Sequence, residues 1–155
     1  MRRDNRLSRM LHVLIHMDET DALMTSEQIA GILGTNPVVV RRTMAGLREL
    51  GYVSSEKGHG GGWQLTQPLN AMSLLDVYRA LGEPPIFAFG LSDDRPDCLV
   101  EQSVNNALSQ QLDAAREQLL KGFAEIRLSD IAADFHEKWK AFAGSGEVCR
   151  SAHQK

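Results

Sequence analysis

TSEQIAGILGTNPVVVRRTMAGLRELGYVSSEKGHGGGWQLT, residues 25–66, is the stretch whose reading decides the fold. Thr25 stands three residues before Gln28, so its hydroxyl can accept from the third helical amide while Gln28 reaches back, a capping box that opens a short helix. Ile29, Ala30 and Leu33 make that helix's inner face, and Gly34 suits a left-handed C-terminal cap. The chain restarts at Thr35-Asn36-Pro37, with Asn36 as cap and Pro37 at the first helical position, where a missing N–H costs nothing. Two helices joined by so tight a turn predict a helix-turn-helix.

The second of these helices runs from Pro37 to about Leu50 and ends at Gly51. Val40, Met44 and Leu47 form its buried stripe, which leaves Val38, Arg41, Arg42, Ala45 and Arg48 on or near the opposite side. Small and basic residues on an outward face can enter a major groove, each Arg pairing with guanine or phosphate; the plainer alternative is a solvated helix face. Next, Tyr52–Ser55 and Trp63–Thr66 read as two short strands around a glycine-rich tip, Glu56–Gly62. Placed behind a recognition helix, this hairpin is a wing, with Lys57 and His59 offering cationic or donor groups to the minor groove. A nucleotide-binding loop is disfavoured, because neither GxxxxGK[ST] nor a helix-opening GxGxxG is present.

Outward from this centre, Leu7, Leu11, Leu14 and Ile15 predict a first helix over residues 6–17, capped by Asp4 or Asn5. Ser73 to Leu81, closed by Gly82, predicts a fourth helix, followed by an apolar connector (84–91) and a polar turn (92–97). From Cys98 onward, Val104, Leu108, Leu112, Ala115, Leu119, Phe123 and Ile126 keep one helix face apolar over 23 positions. Such a helix spans ~35 Å, more than a winged-helix core needs, so a symmetry mate is the expected partner and packing within the chain the alternative. Ser129 is the expected cap of a final helix with Ile131, Phe135, Trp139 and Phe142 inward, and residues 144–155 read as a frayed tail. The expected fold is mainly α with a small β-hairpin wing. The domains are a winged helix-turn-helix (1–72), a linker helix and connector (73–97), dimerisation helices (98–143) and a flexible tail (144–155).

The 155-residue chain has a net charge of −3, which argues against a globally basic nucleic-acid binder, yet the charge is lopsided. Residues 1–72 carry eight basic and seven acidic side chains, and residues 73–155 carry a net −4. Arg2, Arg3, Arg6 and Arg9 lie in the first nine residues, and Arg41, Arg42 and Arg48 in one helix. Local clustering is what a phosphate backbone feels within a Debye length of ~8 Å. The longest apolar run, Ile86–Phe89, is four residues, and two cysteines make no disulfide framework, so a cytoplasmic protein without a membrane span is expected.

Arg6-Leu7-Ser8, Thr25–Ala30, Thr35–Arg42, Leu47–Gly51 and Lys57–Leu65 together resemble the Rrf-two family of bacterial winged-helix repressors, the relatives of IscR, NsrR and CymR. Asn36–Arg42, Ser73–Leu81 and Cys98 look most like its YwnA-like branch. The resemblance covers almost the whole chain. It implies a homodimer crossed through the long helix around residues 99–127, with the third helix in the major groove of double-stranded DNA and the wing in the minor groove. By that likeness Val38, Arg41 and Arg42 are base-reading positions and Lys57 the wing's cation. The DNA-contacting set is expected to be Arg6, Ser8, Thr25, Ser26, Val38, Val39, Arg41, Arg42, Arg48, Lys57, Gly58, His59 and Gly60.

The iron–sulfur branch of that family holds its cluster with three cysteines in the connector, where residues 82–110 here contain Cys98 alone. No iron–sulfur cluster or other cofactor is therefore expected, and the effector is open. Cys98, at the start of the long helix, is the candidate sensor of an oxidant, since unpaired amides favour a thiolate there; Asp93, Asp94 and Asp97 work against it. A buried structural cysteine is the alternative. Cys149, in the tail, reads as a bystander. His12 and His16 have metal-ligand spacing but no third ligand in the sequence nearby, so no metal site is expected, and Phe87 and Phe89 are equally a hydrophobic lid or the lining of an effector pocket. The function expected is a sequence-specific transcriptional regulator, a homodimeric repressor on an inverted repeat, without catalysis. The alternative is a winged-helix module kept for protein interaction.

Overall fold

A computed structural model describes residues 4–20, 22–92, 95 and 97–143. Arg2, Arg3, Asp93, Asp94, the 144–155 tail and Cys149 lie outside the described residues. The chain forms α1 (Arg6–Asp18), α2 (Ser26–Leu33), α3 (Pro37–Glu49), the hairpin β1 (Val53–Glu56) and β2 (Gly62–Leu65), a single 3-10 turn (Leu69–Ala71), then α4 (Leu74–Ala80), α5 (Leu99–Glu125) and α6 (Leu128–Ala143). It is a mostly helical fold with a two-stranded antiparallel wing and a long helix near its C-terminal end. Among the described residues no helix is long and apolar enough to cross a membrane.

Local chemistry sets α2 and α3. Thr25 accepts from the Gln28 N–H at 3.1 Å while Gln28 accepts from the Thr25 N–H at 2.8 Å, and Gly34 closes α2 in the left-handed conformation. Asn36 accepts from the Val38 N–H at 2.8 Å, with Pro37 at the first turn. Ile29, Ala30 and Leu33 of α2 and Val40, Met44 and Leu47 of α3 are buried, as their spacing predicts. In the wing, Val53 pairs with Leu65 and Glu56 with Gly62, so each strand sits one residue from its expected bounds. Ser73 and Asp76 form a second capping box at α4.

Two expectations need correction. In α1 the fully buried face is Met10, Val13, Leu14 and Met17, whereas Leu7, Leu11 and Ile15 are only partly buried. Methionines carry the inner stripe there. The Asn5 side chain forms no cap bond, and Asp4 instead accepts from the Arg6 N–H. In α6 it is Leu128 and Ala132 that are buried, while Trp139 and Phe142 are 45% and 56% exposed. The cause is a main-chain clasp: the Leu74 N–H donates to the Ile126 carbonyl (3.1 Å) and the Leu128 N–H to the Met72 carbonyl (3.0 Å). That clasp drives Leu128 into the core and leaves Trp139 and Phe142 outward, with Ile131 and Phe135 half-buried. The α6 N-terminus is held by Asp130, which accepts from the Arg127 N–H, and not by Ser129.

One buried cluster joins α1, α2, α3, the wing, α4 and the start of α6. Beside it α3 comes close to α4: a Cβ on Gly46 would stand 2.1 Å from the Ala80 carbonyl oxygen. Glycine at 46 lets the third helix lie directly on the fourth. By contrast, α5 buries none of its 27 residues; it touches α4 through Phe123, edge-on to Tyr78, and the turn after α4 through the Arg116–Glu83 ion pair.

Candidate nucleic-acid interface

The candidate recognition face is built on α3. With Val40, Met44 and Leu47 buried, Val38 and Val39 are 64% and 45% exposed, and Arg41 and Arg42 are exposed beside them. Two apolar contacts and two guanidiniums therefore share one face, a surface able to meet thymine methyls, guanine edges or phosphates. At its N-terminal margin, Arg6, Arg9, Thr35, Val39 and Thr43 line a shallow hollow between α1 and α3. Arg6 is paired there with Asp4 at 2.6 Å, and that bond holds the Asp4 carboxyl below its ordinary range. Ser8, on the same helix, is exposed.

The wing is sewn to the start of α2. The Met24 N–H donates to the Trp63 carbonyl (3.0 Å) and the Trp63 N–H to the Met24 carbonyl (2.8 Å). The Trp63 indole N–H also donates to the Ser26 hydroxyl at 3.0 Å, a buried bond. Between these elements lies an open cleft of about 580 Å³, lined by Thr25, Ser26, Glu27, Arg41, Glu56, Lys57, Gly58, His59 and Gly60 among others. Lys57, Gly58, His59 and Gly60 are exposed at its rim, and the tip turns on positive φ at Gly58 (101°) and Gly60 (80°). Small residues at such a tip let the main chain come close to a sugar-phosphate backbone.

Arg41, Lys57 and His59 thus line one cleft with the opening of α2. Two of the expected contact residues bond to the wing itself. Ser26 is buried under the Trp63 indole, and the Arg48 guanidinium reaches the Ser55 hydroxyl (3.4 Å) and lies 5.9 Å from the Trp63 ring centre. Both brace the wing against the helices. Thr25 serves the α2 cap while also lining the cleft.

Sequence reasoning missed Glu27. Its carboxylate takes the Arg41 guanidinium at 2.9 Å and is held below the ordinary glutamate range, first by its own backbone N–H and then by Arg41. A partnership across fourteen residues has no periodic signature in the sequence. The Cys98 thiol is half-buried at the N-cap of α5 and forms no cap bond. The imidazoles of His12 and His16 approach each other at 2.8 Å, and no group of three or more His, Cys, Asp or Glu able to hold a metal occurs among the described residues.

Comparison with known proteins gives this arrangement a family. The profile of Rrf2, described as an iron-dependent transcriptional regulator, matches residues 3–134. The HTH-type transcriptional regulator YwnA of Bacillus subtilis (strain 168) is 32% identical over 130 residues, 83% of this chain and 95% of the relative. A crystal structure of a DNA-binding protein superposes with a TM-score of 0.65 at 30% identity, covering 81% of this chain and 97% of that one. A transcriptional regulator from Lactobacillus plantarum has the same fold, with a TM-score of 0.71 at 24% identity over 92% of this chain and 99% of its own. The donors here do not fit an iron cluster held by three cysteines, since the sequence has two thiols, Cys98 and Cys149, 51 residues apart. With most of the chain matched and the recognition helix and wing in place, the chain belongs to the Rrf2 family of transcriptional regulators.

Proposed function

We propose that the protein is a homodimeric repressor that binds an inverted repeat in double-stranded DNA, acts in the cytoplasm and catalyses no reaction. The observation that carries this reading is the α3 face of Val38, Val39, Arg41 and Arg42, flanked by the Lys57–Gly60 wing tip. Dimerisation is supported by α5, a 27-residue helix with no buried residue and with Val104, Leu108 and Leu119 exposed along it. A second copy would cover that row and carry a second α3 with two-fold symmetry. The half-sites are then expected ~34 Å apart, or a small multiple of that.

Regulation in this reading proceeds without an iron–sulfur cluster. The candidate signal is an oxidant acting on the half-buried Cys98 thiol at the head of α5. The test of the whole reading joins light scattering with footprinting at the gene's own promoter. A dimer protecting a dyad-symmetric site is the expected result. A monomer at micromolar concentration, or a preferred site without dyad character, overturns it.

A further inference from the structure

We infer that Glu27 is a positioning residue for DNA reading, a buttress that holds the Arg41 guanidinium toward base edges and away from phosphates. The inference rests on the DNA-binding reading above. Glu27 sits at the opening of α2 and Arg41 on the exposed face of α3, and their 2.9 Å ion pair crosses between the two helices of the helix-turn-helix. Its own backbone N–H, the Arg41 guanidinium and the Thr25 hydroxyl keep the Glu27 carboxyl below its ordinary range, so it carries its charge. The pair lies inside the cleft whose other cationic group is Lys57 and whose second carboxylate is Glu56.

Both members of the pair are more than half exposed, so the bond contributes little to stability. Its larger consequence is for the guanidinium. One Nη2 hydrogen bond is taken by Glu27, leaving the remaining donors of a fixed fork, which suits bidentate pairing with guanine better than a free search along the backbone. Ordering the side chain before binding removes a cost that a flexible Arg would meet in the complex. A carboxylate placed in the same cleft also repels phosphate at every sequence alike. On random DNA Arg41 then stays with Glu27, and no phosphate gains its charge.

The test uses full-length protein with two probes: the duplex that the wild type recovers from a randomised library, and the unselected randomised duplex itself. Glu27→Gln keeps the size and removes the charge. It is expected to raise affinity for the randomised duplex, steepen its salt dependence by about one phosphate equivalent, and lower the selected-to-random affinity ratio roughly threefold to tenfold. In an Arg41→Ala background the same change should raise affinity for both probes equally and leave the ratio alone. A ratio that is unchanged or improved by Glu27→Gln overturns the inference, as does a fall that persists in Arg41→Ala. Failure of the wild type to bind any duplex would instead overturn the DNA-binding reading, so the two failures are distinct.

Discussion

Replacing Gly46 by Ala tests how α3 is set on the body of the protein. The new Cβ would stand 2.1 Å from the Ala80 carbonyl oxygen, where 3.0 Å is about the closest approach that real Cβ atoms show. The helices must therefore separate by roughly 0.9 Å, and the obstacle is main chain that cannot rotate away. Overpacking of this kind costs ~1–3 kcal/mol, against a gain of up to ~1 kcal/mol from replacing glycine inside a helix. The expected net effect is a loss of about 1–2 kcal/mol. Gly31→Ala is the matched control: Gly31 lies within α2 with nothing within 4 Å of its added Cβ, so only the helix-propensity gain of ~0.5–1 kcal/mol applies. Urea unfolding of both variants should give shifts of opposite sign. If α3 carries the recognition face, as proposed, Gly46→Ala should also lose DNA affinity under conditions where it is fully folded. Equal stabilisation by the two substitutions would refute the α3–α4 contact.

Arg42→Ala should cost ~1–3 kcal/mol at the selected site and relax base preference there, read by competition binding. Lys57→Ala should weaken selected and random duplexes alike and lower the salt slope by about one; unchanged salt dependence would remove the lysine from the phosphate contacts. Burial pushes the Asp76 carboxyl up, but the Ser73 hydroxyl and N–H outweigh it and leave it below its ordinary range. Its stabilising effect is accordingly complete above the unfolded-state value of about 3.9 and lost as pH falls through the lower folded value, so Asp76→Ala should flatten the acid limb of the stability profile below about pH 4. If Cys98 is the sensor, mild peroxide, which converts a thiolate to a sulfenic acid, should change DNA affinity in the wild type and not in Cys98→Ser. The same response in both proteins would eliminate the thiol.

What the sequence made legible is what local chemistry controls. Thr25 with Gln28, Asn36 with Pro37 and Ser73 with Asp76 are cap patterns complete within four residues, and all three are present. The α3 stripe was readable for the same reason: Val40, Met44 and Leu47 are its only buried positions. The rotation of α6 was not, because Leu128 is placed by hydrogen bonding to Met72, far away in the chain, and periodicity alone favoured Phe135 and Trp139. In the candidate site, the outward arginines and the wing were visible, whereas the bonds that fix them are non-local. Ser26 was among the expected DNA contacts, and only the fold brings the Trp63 indole onto it from 37 residues away.

The clasp between residues 72–74 and 126–128 also divides the chain into a closed circuit and an excursion. The path that leaves at Leu74 returns to the same place at Ile126, having carried α4, the connector and all of α5 between. Residues on either side of the junction meet whatever length of chain lies in the loop they close. A family using this plan can lengthen, shorten or rewrite the connector from Gly82 to Cys98 while the junction keeps α3 and the wing in register with the return of α6. The excursion can thus diverge without a matching change in the winged helix, and the two can be inherited as separable parts.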